Sequence, residues 1–211
     1  MIKIFGNFLE RLIHNNHAEK TDIYGSFKDS LTEKEHLTLE FSPSKISLNN
    51  RWGNNSLSAN FIGDYLVTFF PHENDNHHIL NRQKLIRSSV SYIANELLEN
   101  AMKYCDETSN FPITLHAQVD GDNIRLFVDN SVLASAAEKF KNFIKEFMVA
   151  NPEEFYISQL EKTAVDNNSK YSGLGFVTIV NDYSAKIGWR FQMLERESPL
   201  LTVTTMVEIS V

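Results

Sequence analysis

The segment ANELLENAMKY, residues 94–104, constrains the fold more than any other stretch, because it reads as an amphipathic helix with two distinct sides. Its Glu96, Asn100 and Lys103 follow one another at helical spacings of four and three residues. Apolar residues recur three or four positions apart on another side, as a helix packed on a core requires. They are Ile86, Val90, Ile93, Leu97, Ala101 and Met102. The pattern predicts a long helix with one buried side and a polar stripe beside it.

The three polar residues of this stripe have the chemistry that a magnesium–nucleotide complex needs. A carboxylate can accept a hydroxyl proton, so Glu96 is a candidate catalytic base. An amide oxygen is a hard ligand, so Asn100 is a candidate Mg²⁺ ligand, and the Lys103 ammonium can neutralise phosphate charge. The alternative is an ordinary buried helix whose polar flank holds no ligand.

The segment SGLGFVTIV, residues 172–180, supplies a second signal, since two glycines run directly into an apolar helical pattern. Glycine lets the backbone approach an anion closely, and the free N–H groups of a first helical turn attract negative charge. The backbone at Gly173, Leu174 and Gly175 is therefore a candidate cradle for phosphate. The alternative is a plain loop-to-helix turn, which is the commoner explanation for an isolated pair of glycines.

In this order the two segments resemble the N box and the G2 box of the GHKL superfamily, the ATP-binding fold of histidine kinases, gyrase-type ATPases and anti-sigma-factor kinases. ELLENAMKY is similar to the N box of sensor kinases, and SGLGFVTIVND to their G2 segment. The chain looks most like stand-alone SiaB-like bacterial regulators, where the likeness extends to LEFSPSKISLNNRW and NNSLSANFIGDYLVTFFP. The resemblance implies that the protein binds ATP and Mg²⁺.

The remaining patterns predict an α/β two-layer sandwich of the GHKL, or Bergerat, type, with a mixed sheet and helices on one face. The predicted order is a strand at 37–41, a helix that begins near Ser56 or Ser58 and ends before Pro71, the long helix, a hairpin over 113–128, helices over 132–165 broken near Pro152, the glycine-led helix, and strands at 187–191 and 202–211. Residues 1–35 are expected to form an N-terminal helix and an irregular polar segment. Residues 36–211 are expected to form the ATP-binding domain.

The expected adenine-binding loop departs from the GHKL pattern. GHKL proteins carry D-x-G-x-G after the middle strand, and the aspartate points inward to bond the adenine amino group. Asp129 is the obvious candidate, but the inward-facing Ile124, Leu126 and Val128 make Asn130 the next inward position. A valine and an alanine then stand at the two glycine positions. An asparagine oxygen can accept the adenine hydrogen bond, although it lacks the charge of a carboxylate.

The final predicted strand carries Thr205 among apolar residues of the same face, including Val203 and Val207. A lone hydroxyl in an apolar stripe needs a hydrogen-bond partner. In GHKL proteins a threonine on this strand reaches the adenine, which the resemblance implies for Thr205. The alternative is a β-branched residue that bonds the local backbone.

Composition and net charge narrow the classes of function that the protein can have. The 211-residue chain is 42% apolar and carries a net charge of −7, which argues against a nucleic-acid binder because clustered Lys and Arg are missing. Its one cysteine, Cys105, excludes an internal disulfide. No apolar run reaches ~18 residues and no signal-peptide pattern opens the chain, so we expect a cytoplasmic protein with no membrane partner.

Two further segments of the sequence allow more than one interpretation. Residues 2–13 have an amphipathic helical pattern that is expected to pack on the domain or on a second subunit, as in a homodimer. The histidine-containing segment 71–78 invites a metal interpretation, but it reads better as a solvated linker because zinc sites need a rigid frame.

These observations predict an ATP-dependent regulator that transfers the γ-phosphate to a Ser or Thr of a partner protein. By resemblance, the partner is a small STAS-like or SiaC-like phosphoprotein, and a PP2C-type phosphatase opposes the reaction. Asn100 would hold Mg²⁺, Glu96 would act as base, and Lys103 with the glycine-led amides would contact phosphate. The alternative is a non-catalytic module that uses the same surface to sequester a partner.

Overall fold

A computed structural model of the chain describes residues 21–31, 34–42, 48–70, 77–165, 173–194 and 199–211. These residues form an α/β fold of six strands and five helices. In chain order they are β1 (Thr21–Gly25), β2 (His36–Phe41), α1 (Leu48–Val67), α2 (His77–Tyr104), β3 (Ile113–Asp120), β4 (Asn123–Ser131), α3 (Ala134–Val149), α4 (Pro152–Val165), α5 (Leu174–Tyr183), β5 (Lys186–Leu194) and β6 (Leu200–Ser210). None of the described helices is long and apolar enough to span a bilayer.

The six strands make one sheet in the order β1-β5-β6-β4-β3-β2, and every neighbouring pair is antiparallel. The prediction of a mixed sheet is therefore wrong. A single crossover helix between two strands makes those strands run parallel. Strands β2 and β3 are joined by two helices, α1 and α2, and the second helix reverses the chain direction once more, so the strands run antiparallel. Strands β4 and β5 do run in the same direction, yet β6 lies between them.

The helices cover one face of the sheet, which we call the inner face. Its residues alternate along each strand with those of the opposite, outer face, as the strand period of two requires. Leu126 on β4 and Trp189 on β5 are fully buried on the inner face, against residues such as Ile93 of α2 and Ile144 of α3. The long helix α2 thus buries its apolar stripe as the sequence predicted.

Several element boundaries agree with the sequence patterns. The hairpin β3–β4 turns at Gly121, which has a φ of 61° that glycine adopts without strain. Helix α4 begins at Pro152, where the missing N–H of a first-turn proline costs nothing. The helix predicted to begin near Ser56 or Ser58 instead begins at Leu48. Leucine does not indicate a helix start, so this boundary could not be predicted from the residue type.

The predicted irregular segment 15–35 contains a strand, so that prediction is wrong at residues 21–25. Strand β1 pairs with β5 along its whole length, from Thr21 opposite Gln192 to Gly25 opposite Gly188. An edge strand of five partly exposed residues gives a weak signal, because neither of its faces is continuously apolar. The sheet therefore extends across the predicted domain boundary at residue 35. The helix predicted at residues 2–13 and the segment 71–76 lie outside the described residues.

Candidate functional site

A cavity lies between α2, α3, α5 and the inner face of the sheet. It spans about 490 Å³ of space between atoms, a volume that includes open solvent. The walls are mostly apolar or aromatic and include Leu97, Val128, Phe140, Phe176 and Val203. Walls of this character are typical of a pocket for a small organic molecule.

Three neutral polar side chains from three separate elements meet in this cavity. Asn100 comes from α2, Asn130 from the end of β4, and Thr205 from the middle of β6. Thr205 lies opposite Val128 in the β4–β6 ladder, so Asn130 is two residues further along the same face. The long helix and the two central strands therefore bring together residues that are far apart in the sequence.

The prediction that Asn130, and not Asp129, faces inward from its strand is confirmed. Asn130 lines the inner cavity, whereas the side chain of Asp129 lies on the outer face and accepts a hydrogen bond of 2.5 Å from the Thr204 hydroxyl. Burial raises the pKa of the Asp129 carboxyl, with opposing effects from Thr204 and Arg190. Of the two candidate adenine-binding residues, only Asn130 therefore faces the cavity.

The side-chain amide of Asn130 is held in one orientation. Its Nδ2 donates a hydrogen bond of 2.8 Å to the carbonyl oxygen of Ser131. The Oδ1 atom is consequently the end that remains to accept a hydrogen bond from another molecule. The buried Asn130 thus offers a hydrogen-bond acceptor to the cavity.

The carboxylate of Glu96 stands against the start of α5. A Cβ atom added to Gly175 would overlap with the Glu96 Oε2 atom and would lie 3.0 Å from Cδ, so a side chain there would require the carboxylate to move. Burial and the nearby Glu99 raise the pKa of the Glu96 carboxyl, while Tyr92 and Lys103 act against this change. The two segments that resemble the N box and the G2 box are therefore in contact.

The first turn of α5 fits closely between its neighbours. Gly173 precedes the helix with a left-handed φ of 60° and, as a glycine, makes no side-chain capping bond to the N–H groups that follow. A Cβ atom on Gly173 would overlap with the Phe143 ring of α3. The positive end of the helix dipole favours an anion here, and the Glu96 carboxylate is the anion already beside it. Leu174 forms the first residue of the helix but does not line the cavity.

Lys103 lies one turn beyond the cavity-lining Asn100 on α2. Its Nζ atom is 5.3 Å from the centre of the Tyr104 ring, and its charge helps to lower the pKa of Glu96. Among the described residues no group of three or more His, Cys, Asp or Glu side chains could hold a metal ion.

The aromatic wall of the cavity was not predicted as part of the site. The rings of Phe140 and Phe176 stack with centroids 6.0 Å apart, and both line the cavity. Phe140 also packs edge-on against Trp189 and Phe191 of β5. The signal was present in the three- and four-residue spacing of Ala136, Phe140, Phe143 and Phe147 along α3. Helix α3, within the predicted helical region 132–165, thus carries an aromatic stripe that belongs to the core.

Comparison of the chain with protein-family models and with curated proteins gives no match. The GHKL resemblance therefore stays a prediction. What the geometry defines is a class of site: an apolar slot with neutral hydrogen-bonding groups, and a carboxylate that contacts the first turn of the helix α5 whose Phe176 lines the slot.

Proposed function

We propose that this protein binds Mg-ATP in the inner cavity and transfers the γ-phosphate to a Ser or Thr of a partner protein. The observation that carries the proposal is that Asn100, Asn130 and Thr205 line one apolar slot, with Glu96 one helical turn before Asn100 on the same helix. By the GHKL resemblance, the partner is a small STAS-like or SiaC-like phosphoprotein in bacterial signalling, and a PP2C-type phosphatase removes the phosphate. The reaction would take place in the cytoplasm.

The adenine ring is the part of the nucleotide that suits the cavity. A planar, uncharged heterocycle can lie beside the aromatic rings of Phe140 and Phe176 without burying an unpaired charge. The Oδ1 atom of Asn130 can accept a hydrogen bond from the exocyclic amino group, because Nδ2 is occupied by Ser131. The Thr205 hydroxyl supplies a second, reversible donor or acceptor.

The phosphates are proposed to extend from the slot toward the start of α5. There the free N–H groups of the first turn favour negative charge, and Lys103 adds a positive charge. Mg²⁺ would be held by the Asn100 oxygen together with phosphate oxygens and water. Because Glu96 is already at this helix start, the cation would also reduce the repulsion between its carboxylate and the phosphates.

The proposed transfer is an in-line displacement at the γ-phosphorus. The hydroxyl oxygen of the acceptor bonds to this phosphorus, the bond to the β–γ bridging oxygen breaks, and ADP leaves with that oxygen. Glu96 accepts the hydroxyl proton. A carboxyl whose pKa is raised by burial is a stronger base than an exposed one, which suits this function.

A second candidate function is a non-catalytic module that sequesters a partner. The observation in its favour is the start of α3 at Ala134, only three residues after β4, where the glycines of the GHKL adenine loop are missing. Residues Ala136 and Phe140 of this helix occupy one side of the cavity. They leave less freedom for a loop to close over a nucleotide.

Single-turnover phosphotransfer from labelled Mg-ATP to the cognate partner separates the two functions. Glu96→Gln keeps the shape of the side chain but removes the proton acceptor, so transfer should slow by roughly 10²–10⁴. Nucleotide and partner affinity should stay within about threefold, because an interaction made only in the transition state changes the rate and not the binding. Absence of transfer in the unmutated protein with a verified partner would favour the sequestering module.

A further inference from the structure

Phe143 of α3 lies directly against the residue that precedes α5. A Cβ atom on Gly173 would overlap with the Cε2 and Cζ atoms of the Phe143 ring, and the nearest atoms around that position all belong to this ring. Gly173 has a φ of 60°, and its carbonyl oxygen accepts a hydrogen bond of 3.4 Å from the N–H of Val177 in the first turn. The Phe143 ring therefore limits where the first turn of α5 can lie.

The Phe143 ring is itself held by aromatic neighbours from three helices. It stacks on Phe140 and Phe147 of α3, with centroids 6.2 and 6.1 Å away. It packs edge-on against Phe155 of α4 at 5.7 Å, and its centroid is 6.3 Å from that of Phe176 of α5. A rigid ring that is packed on several sides has little freedom to move. Phe143 is consequently a fixed support for the start of α5.

The start of α5 is built on the same two helices as one wall of the inner cavity. Phe140 lies three residues before Phe143 on α3, and Phe176 lies three residues after Gly173 on α5. Both of these outer rings line the cavity. A helix start alone specifies no ligand, but this one has a fixed relation to a molecule that occupies the cavity.

We propose that Phe143 is a positioning residue, whose ring holds the first turn of α5 where its N–H groups bond the phosphates of a nucleotide whose base occupies the cavity. This inference rests on the proposed function and deepens it at the same site. The first N–H groups of a helix have no partner within the helix, so they can bond an anion. They do so only within hydrogen-bond distance, and a displacement of about 1 Å removes the bond. Phe140 thus contacts the base, and Phe143 places the groups that hold the phosphates.

The test compares Phe143→Leu with a matched control, Phe147→Leu. Phe147 belongs to the same stack and packs on Phe155 and Trp189, but none of its atoms is among the nearest to Gly173. Calorimetric titrations of the full-length proteins measure Mg-ATP, which carries phosphates, and adenosine, which carries none. In Phe143→Leu the Kd for Mg-ATP should rise about tenfold while the Kd for adenosine stays within about twofold, because only bonds to phosphate are weakened. In Phe147→Leu both values should stay within about twofold.

The proposal is overturned by an unchanged Kd for Mg-ATP in Phe143→Leu, by an equal loss of adenosine binding, or by the same difference in Phe147→Leu. A second variant, Phe143→Met, replaces the rigid ring by a flexible chain of similar length. It should show the same difference between Mg-ATP and adenosine, and it takes the place of Phe143→Leu if that variant does not fold.

Backbone amide exchange of Val177, followed by NMR without nucleotide, supplies a readout that does not depend on the proposed function. The bond from this N–H to Gly173 closes the first turn, so its exchange should be at least about fivefold faster in Phe143→Leu and unchanged in Phe147→Leu. Equal exchange in the unmutated protein and both variants would overturn the proposal. If exchange rises in Phe143→Leu but the unmutated protein binds neither Mg-ATP nor adenosine, the proposed function fails together with the assignment to phosphates, and only the contact between Phe143 and Gly173 stands.

Discussion

The two faces of the sheet are built from alternate residues of the same strands, yet they have opposite chemistry. On the inner face, Asn130 and Thr205 stand in a largely apolar layer and line the cavity. One residue away in each strand, Asp129 and Thr204 bond each other on the outer face. A shift of one residue in a strand would exchange the two sets. Neighbouring residues therefore lie in different surroundings, the cavity on one side of the sheet and a polar hydrogen-bonded face on the other.

The outer face is stabilised by charged groups that the segment between β1 and β2 contributes. Because β1 and β2 are at opposite edges of the sheet, this segment must cross the face between them. Lys28 bonds the carboxylate of Glu208 at 2.8 Å, and the backbone N–H of Leu31 bonds Oε1 of Gln118 at 3.1 Å. The inner face has no comparable ion pairs among the residues that line the cavity. We expect outer-face substitutions to change stability and inner-face substitutions to change binding.

The largest effect is expected from Glu208, which is buried on the outer face and bonds Arg125 at 2.6 Å. Burial acts to raise the pKa of Glu208, but hydrogen bonds from Lys28 and Arg125 outweigh it and lower the pKa to about 2. Glu208→Gln leaves the buried Arg125 with only its longer contact to Asp120, at 3.4 Å, so unfolding free energy should fall by about 3 kcal/mol. Urea denaturation measures this change, with Glu40→Gln on the exposed edge strand as the control.

This prediction also has a pH dependence that sharpens the comparison. The folded-state pKa of Glu208 is lower than the value of 4.5 in an unfolded chain, so its stabilisation is complete above pH 4.5 and is lost as the pH falls toward 2. The difference in unfolding free energy between the unmutated protein and Glu208→Gln should therefore shrink in that range. An advantage that persists at pH 2 would contradict the assignment.

The next effect concerns His116, whose Nδ1 atom is 2.9 Å from the Thr38 hydroxyl on the outer face. Burial, and secondarily the nearby His36, lower the pKa of His116 from 6.5 to about 4. The unfolded chain therefore binds a proton first, and stability falls as the pH drops from 6.5 toward 4. Between pH 7 and pH 5, protonation of His116 in the unfolded chain should lower the unfolding free energy by about 2 kcal/mol. His116→Asn should remove that part of the loss in unfolding experiments, and imidazole NMR signals that titrate near pH 6.5 would show the explanation to be wrong.

On the inner face, Asn130→Ala should weaken Mg-ATP binding about tenfold, because it removes one buried hydrogen-bond acceptor. Asp129→Asn, one residue away, keeps an oxygen for the Thr204 hydroxyl and should change affinity less than about twofold. Calorimetric titration of both variants compares the faces directly. If Asp129→Asn abolishes binding while Asn130→Ala is silent, the division between the faces does not hold.

The smallest effect is expected from Lys28→Gln. Lys28 pairs with Glu208, but its side chain is 46% exposed, so solvent screens the interaction. Loss of this exposed member should lower the unfolding free energy by less than about 1 kcal/mol. Thermal melts at low and high salt would check this, since the difference between variant and parent should shrink as salt is added. A cost as large as that of Glu208→Gln would mean that Lys28, and not Arg125, is the main partner of the carboxylate.

Local patterns were sufficient to predict the parts of the fold that depend on one element at a time. The apolar stripe of α2, the hairpin β3–β4 and the start of α4 at Pro152 all follow from periodicity and turn chemistry. The inward position of Asn130 follows from the strand period alone. These predictions hold because the physical cause lies within a few neighbouring residues.

Features that depend on distant contacts could not be predicted in the same way. Strand β1 is recognisable only through its pairing with β5, and the pair Lys28–Glu208 joins residues 180 positions apart. The strand directions in the sheet depend on how many helices connect one strand to the next. A residue pattern within one element does not reveal that number. The aromatic wall needed both α3 and α5 in place before Phe140 and Phe176 could meet.

The central claim is that the inner cavity receives the adenine of Mg-ATP, and a calorimetric titration of the parent protein and Ala136→Trp tests it most directly. Ala136 is half-buried at the cavity wall, so a tryptophan there should fill the slot without disturbing the outer face. The parent should bind one Mg-ATP and gain about 2.7 kcal/mol of stability at one hundred times its Kd, and the variant should bind at least about tenfold more weakly. No binding heat and no rise in Tm for the parent at millimolar Mg-ATP, or unchanged affinity in Ala136→Trp, would contradict the account.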